Sequence, residues 1–118
     1  MPDLVDFVAL LAAMDTRSLQ AMIATINQLP NIVPALQAWI EHAVRWEYDR
    51  RSGFHYPLQV PMAAIPPEEL FAALGASSMI SHCFRHEKRR GVKPVVAFFD
   101  GLTKALAAEH ERLGSAVH

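Results

Sequence analysis

The chain has 118 residues, net charge −1, 52% hydrophobic residues and one cysteine, so it is long enough to bury a core without a metal, and Cys83 has no partner for an internal disulfide. That balance excludes an overall field drawing nucleic acid or anionic membrane. No apolar run reaches a bilayer's thickness, and the acidic opening MPDLVDF is unlike an export signal, so a cytoplasmic protein without membrane contact is expected.

The spacing predicts a single all-α domain over residues 1–118, a compact bundle of five or six helices around one long central helix. The first is an amphipathic helix from Asp3 to Met14, with Leu4, Phe7, Val8, Leu11 and Met14 on one face and Asp3 and Asp6 in its first turn. Asp15 or Thr16 then caps a second helix with a stripe of Leu19, Met22, Ile23 and Ile26, which Pro30 ends. The link to the next helix is so short that the two are neighbours.

The central helix runs from Ile32 to Ser52. Its apolar face carries Ile32, Leu36, Trp39, Ile40, Val44 and Trp46, and Asn31 is its expected cap. Pro34 is tolerated in the first turn, Arg50 and Arg51 answer the helix dipole, and Gly53 is the stop. Glu41 with Arg45 and Glu47 with Arg51 are acid-before-base pairs four apart, expected on an exposed face.

Residues 53–66 carry prolines at 57, 61 and 66, with Pro67 directly after them, and form an extended strap. It is expected to lie across the bundle and bury Phe54, Tyr56, Leu58, Val60, Met62 and Ile65, the alternative being a partner-binding lip or a short strand. Pro67 opens a short helix through Leu74 that Gly75 closes. Ser77 or Ser78 caps a further helix to Arg90, with an apolar stripe of Met79, Ile80, Cys83 and Phe84. The last helix runs from near Pro94 to Leu113, with Gly101 marking close approach of a neighbour and Gly114 as its stop. The predicted core is Phe7, Leu11, Ile23, Ile26, Leu36, Trp39, Ile40, Val44, Leu70, Leu74, Phe84, Phe99, Leu102 and Leu106.

Chemistry-bearing residues gather in the stretch EELFAALGASSMISHCFRHEKRRG. A short helix, a glycine turn and a second helix with serines in front and bases behind resembles the helix-turn-helix arrangement of DNA-binding proteins. Two departures separate it from that motif: Ser81 stands where a branched aliphatic is usual, and Phe71 where alanine is. The face expected to meet a partner or phosphates is Ser78, Ser81, His82, Arg85, Lys88, Arg89, Arg90 and Lys93.

Charge is also polarised along the chain. Residues 1–16 hold Asp3, Asp6 and Asp15 and no base, whereas residues 85–93 hold five bases against Glu87. With a mean hydropathy of +0.13, high for so small a chain, this favours a homo-oligomer, most simply a dimer.

His82, Cys83 and His86 have metal-ligand chemistry, but no acidic residue and no second cysteine completes a site, so no metal and no cofactor are expected, with solvent-facing histidines beside a buried Cys83. The polar group Glu47, Asp49, Arg50, Arg51, His55 and Tyr56 is read as the hydrophilic end of the central helix. No GxSxG, Walker, GxGxxG or CxxC pattern occurs, and no catalytic residue is assigned. The expected function is that of a non-enzymatic regulatory protein, an adaptor or inhibitor acting through protein–protein contact, and the alternative is a DNA-binding regulator.

Overall fold

The computed structural model describes residues 6–29, 32–87 and 91–116. Five helices of seven residues or more form an all-α bundle, and no strand occurs among the described residues. Their limits follow from local chemistry.

Helix α1 (Phe7–Ala13) starts where the Asp6 carboxylate accepts the Ala9 N–H at 3.0 Å. Helix α2 (Thr16–Gln28) starts two residues past Met14, where Asp15 accepts the Ser18 N–H at 2.7 Å. Of the two expected caps, Asp15 is the one used. The two helices meet at a bend of 113°. The expected first helical turn from Asp3, the Asn31 cap and the Pro30 stop fall outside the described residues.

Helix α3 (Pro34–Arg51) has proline in its first turn. It ends in a Schellman arrangement: Gly53, at φ +98°, donates its N–H to the Arg50 carbonyl, and Phe54 donates to Asp49 at 2.9 Å. Leu36, Trp39, Ile40, Ala43, Val44 and Trp46 of α3 are buried. Phe7 of α1 sets its ring edge-on to Trp39 at 5.5 Å and to Phe98 at 5.2 Å, while Trp39 and Phe98 stack at 5.7 Å. That trio ties α1 and α3 to helix α6 (Lys93–Ala116). Of the predicted core, Phe7, Ile23 and Leu74 are half-buried, and the other members are buried.

Three boundaries differ from expectation. A 3-10 turn at Pro67–Glu69 leads into helix α5 (Leu70–Arg85), which passes straight through Gly75. Glycine inside a helix costs about 1 kcal/mol, and the continuous buried row Leu70, Ala73, Ser77, Ile80, Ser81 and Phe84 against α6 outweighs it. Consequently neither Ser77 nor Ser78 is a cap. Ser77 is buried and donates to the Phe99 carbonyl at 3.0 Å, and Thr103 donates to Ser77 at 2.9 Å, so hydroxyls bridge α5 and α6. Likewise α6 continues past Gly114, and Gly101 within it is buried.

The strap is corrected as well. It does not bury its apolar side chains as a set: Phe54 is 67% exposed, Val60 55% and Tyr56 39%, whereas Leu58 is half-buried and Ile65 is buried. The side chain of Met62 lies outside the description. What the bundle grips is backbone. Trp39 donates its indole N–H to the Gln59 carbonyl at 2.9 Å, Trp46 donates to the Tyr56 carbonyl, and the Gln59 N–H donates to His42 Nε2 at 3.3 Å. Trp39, His42 and Trp46 stand at i, i+3 and i+7, a single stripe of α3. With the strap's peptide groups turned toward that stripe, its side chains at 54, 56 and 60 are left facing water. The single-turn helix α4 (Pro61–Ala64) then carries the chain to Ile65.

Candidate functional site

The continuity of α5 creates two opposed faces. The inner one is the buried row described above. On the other side Phe71, Gly75, Ser78, Met79, His82 and His86 follow one another at helical spacing, and all are exposed. Phe71 is 69% exposed and Met79 57%. The Phe71 ring rests against His110 of α6 at 5.6 Å, which steadies it without covering it.

Expected contact residues divide among several environments. Ser78 and His82 lie on the exposed face, and Lys93 is exposed at the start of α6. Ser81 is buried, and its hydroxyl bonds to Asp100. Arg85 is exposed, but its guanidinium pairs with the other oxygen of Asp100 at 2.6 Å. Lys88, Arg89 and Arg90 lie outside the described residues. Among those described, Asp100 thus draws Ser81 and Arg85 into the α5–α6 contact, which sequence spacing of 15 to 19 residues does not reveal.

Met79 and Cys83, expected in the core stripe, are both exposed. The reason is geometric: with the helix unbroken at Gly75, its inward direction is set by Leu70 and Ala73, and Met79 and Cys83 fall outside that sector while Ile80 and Phe84 stay within it. Phe71 was read only as a residue out of place in a turn motif. Counting one helical period through the glycine finds it, because 71, 75, 78 and 82 then share a side. The turn needed by a helix-turn-helix arrangement is not formed.

In the polar cluster at the end of α3, Glu47, Arg50 and Arg51 bond one another, and Tyr56 bonds Asp49. Glu47, expected on an exposed face, is fully buried under two guanidinium groups: Arg50 bonds both of its oxygens at 2.8 and 2.7 Å, and Arg51 adds a bond at 2.6 Å. Arg51 also donates to the Leu11 and Met14 carbonyls, satisfying the end of α1. Burial alone would raise the pKa of Glu47, but the bonds and charges of Arg50 and Arg51 outweigh it and hold the carboxyl below its usual range. Beside it the Tyr56 hydroxyl donates to Asp49 at 2.7 Å; that bond, with some desolvation, raises the phenol's pKa.

The start of α2 approaches the segment that precedes α6. Ser18 lies against the Gly91 carbonyl at 3.4 Å, and a β-carbon on Gly91 would stand 3.4 Å from Asp15 Oδ2. Gly91, just after the base-rich stretch of the sequence, therefore lies close to Asp15 and Ser18 at the start of α2. On the outer side of α3, Ala38, Glu41, His42 and Arg45 line a shallow, open depression.

Among the described residues no three metal-ligating side chains come together. No single helix there is long and apolar enough to cross a membrane. No protein-family model matches the chain, and neither a curated protein nor a solved structure matches it.

Proposed function

We propose that this is a non-enzymatic binding protein of the adaptor or inhibitor kind, acting in the cytoplasm by docking a protein partner on the outer face of α5. The observation that carries this reading is the exposure of Phe71 and Met79 on the side of α5 opposite its buried row. Aromatic and methionine side chains are enriched at protein interfaces, and a fixed helix face presents them at no folding cost on binding. Ser78 and His82 between them supply hydrogen bonding, and Lys93 supplies charge at one end.

The test is co-purification from a native lysate, run with and without nuclease treatment, comparing the wild type with the double substitution Phe71→Asp, Met79→Asp. Both positions point to water, so helix content by circular dichroism stays unchanged, while the nuclease-resistant partner is lost. A partner kept by the double variant overturns the choice of face. Recovery of nucleic acid alone, with steeply salt-dependent binding, overturns the protein reading in favour of a DNA-binding regulator.

Self-association belongs to the same reading, since a second copy presents the same apolar residues. Light scattering at micromolar concentration is expected to give a mass above 13.1 kDa. A monomer at both low and high salt counts against it.

A further inference from the structure

We propose that His82 and His86 together chelate a borderline divalent cation of the zinc class. The two imidazoles stand one helical turn apart on the exposed face of α5, with ring centroids 4.4 Å apart and planes at 76°. Exposed rings this close need only side-chain rotation to bring one nitrogen of each to the roughly 2.0–2.1 Å at which zinc binds imidazole.

Three further observations single out this pair. First, neither ring forms a hydrogen bond to any described residue, so the ring nitrogens are available. By contrast, His42 Nε2 accepts the Gln59 N–H, and the His110 ring lies against Phe71. Second, His82 is in the last turn of α5 and His86 is its C-cap. The partial negative charge of a helix C-terminus and its unpaired carbonyls favour a cation there. Third, Arg85, the residue before His86, is paired with Asp100 at 2.6 Å, which lessens its repulsion of a second positive charge.

The ligand set defines the metal. Two neutral imidazoles suit zinc, nickel or copper and not the oxygen-seeking magnesium or calcium. Because no third protein ligand joins the pair among the described residues, the remaining coordination positions belong to water or to a donor from another molecule. Cys83 is exposed beside the pair but one residue, or about 100°, round the helix from His82, and it is not assigned as a ligand.

The site rests on the ring geometry and the surroundings of the pair, and it stands or falls separately from partner docking. Its test is calorimetric titration of the untagged full chain with zinc chloride, with magnesium chloride as the hard-cation control. Two ligands on one rigid helix bind as a chelate, so His82→Ala and His86→Ala are each expected to weaken zinc binding on the order of a hundredfold. Magnesium is expected not to bind, and Cys83→Ser and His110→Ala are expected to leave zinc affinity unchanged. One ion per chain and one ion per two chains both satisfy the chelate, with water or a second copy completing the shell. Absence of zinc binding, equal affinity in the wild type and both histidine variants, or loss on Cys83→Ser alone overturns the assignment. Circular dichroism of each variant confirms that helix content is unaltered, as expected for exposed positions.

Discussion

Trp39→Ala is expected to destabilise the protein by about 3–5 kcal/mol, the range for removing a large buried aromatic and leaving a cavity. Trp39 is 1% exposed, stacks on Phe98, takes the edge of Phe7 and holds the strap through Gln59. One substitution therefore loosens α1, α6 and the strap together. Trp39→Phe separates the two roles. It retains most of the ring stack and loses the indole N–H, so it is expected to cost far less, with about 1 kcal/mol from the lost bond. In urea denaturation the alanine variant shows the large drop in midpoint. In limited proteolysis both variants are cut faster within residues 54–60. Equal destabilisation by the two substitutions would mean that the bond to Gln59, and not packing, dominates.

Glu47→Gln is expected to have the second largest effect and a distinctive pH dependence. The wild-type carboxylate receives three bonds from two guanidinium groups. Hydrogen bonds with charged groups are worth roughly 1.5–3 kcal/mol. Both arginine side chains retain about a third of their exposure and can turn to water, so the low end, about 1.5 kcal/mol at neutral pH, applies. Because the folded-state pKa of Glu47 is lowered, its contribution is fully present above the usual glutamate range. It is lost as pH falls through the lowered folded value. The difference between wild type and Glu47→Gln in urea therefore shrinks toward acid. A difference constant from neutral to acid pH would show that shape and not charge is at work.

The helices of this protein are legible in its sequence because their signals are local. Asp15 caps α2 by accepting an N–H three residues on, Asp6, expected in a first turn, caps α1 in the same way, Pro34 fits a first turn, and Gly53 closes α3 because it reaches a positive φ without a Cβ clash. Helical spacing likewise points Leu36, Trp39, Ile40 and Val44 inward. Each of these follows from a few neighbouring residues, so no tertiary information is needed.

The exposed face of α5 was not legible in the same way, since its direction depends on whether the helix stops at Gly75. That choice is made by α6, whose Phe99 carbonyl and Asp100 carboxylate bond Ser77 and Ser81 on the α5 surface that faces it. Only this packing turns Met79 and Cys83 out to solvent and leaves Phe71 uncovered. The strap shows the same division. Its prolines exclude a regular helix across residues 53–60, but which side of an extended segment faces the bundle is decided by partners 10 to 20 residues away, the indoles of Trp46 and Trp39. Glu47 is the sharpest case. Spacing pairs it with Arg51, yet it is fully buried, and Arg51 also reaches the Leu11 and Met14 carbonyls, 40 and 37 residues earlier, a link that spacing does not show. Local sequence determined where the helices form; long-range hydrogen bonds and packing decided which faces they leave open.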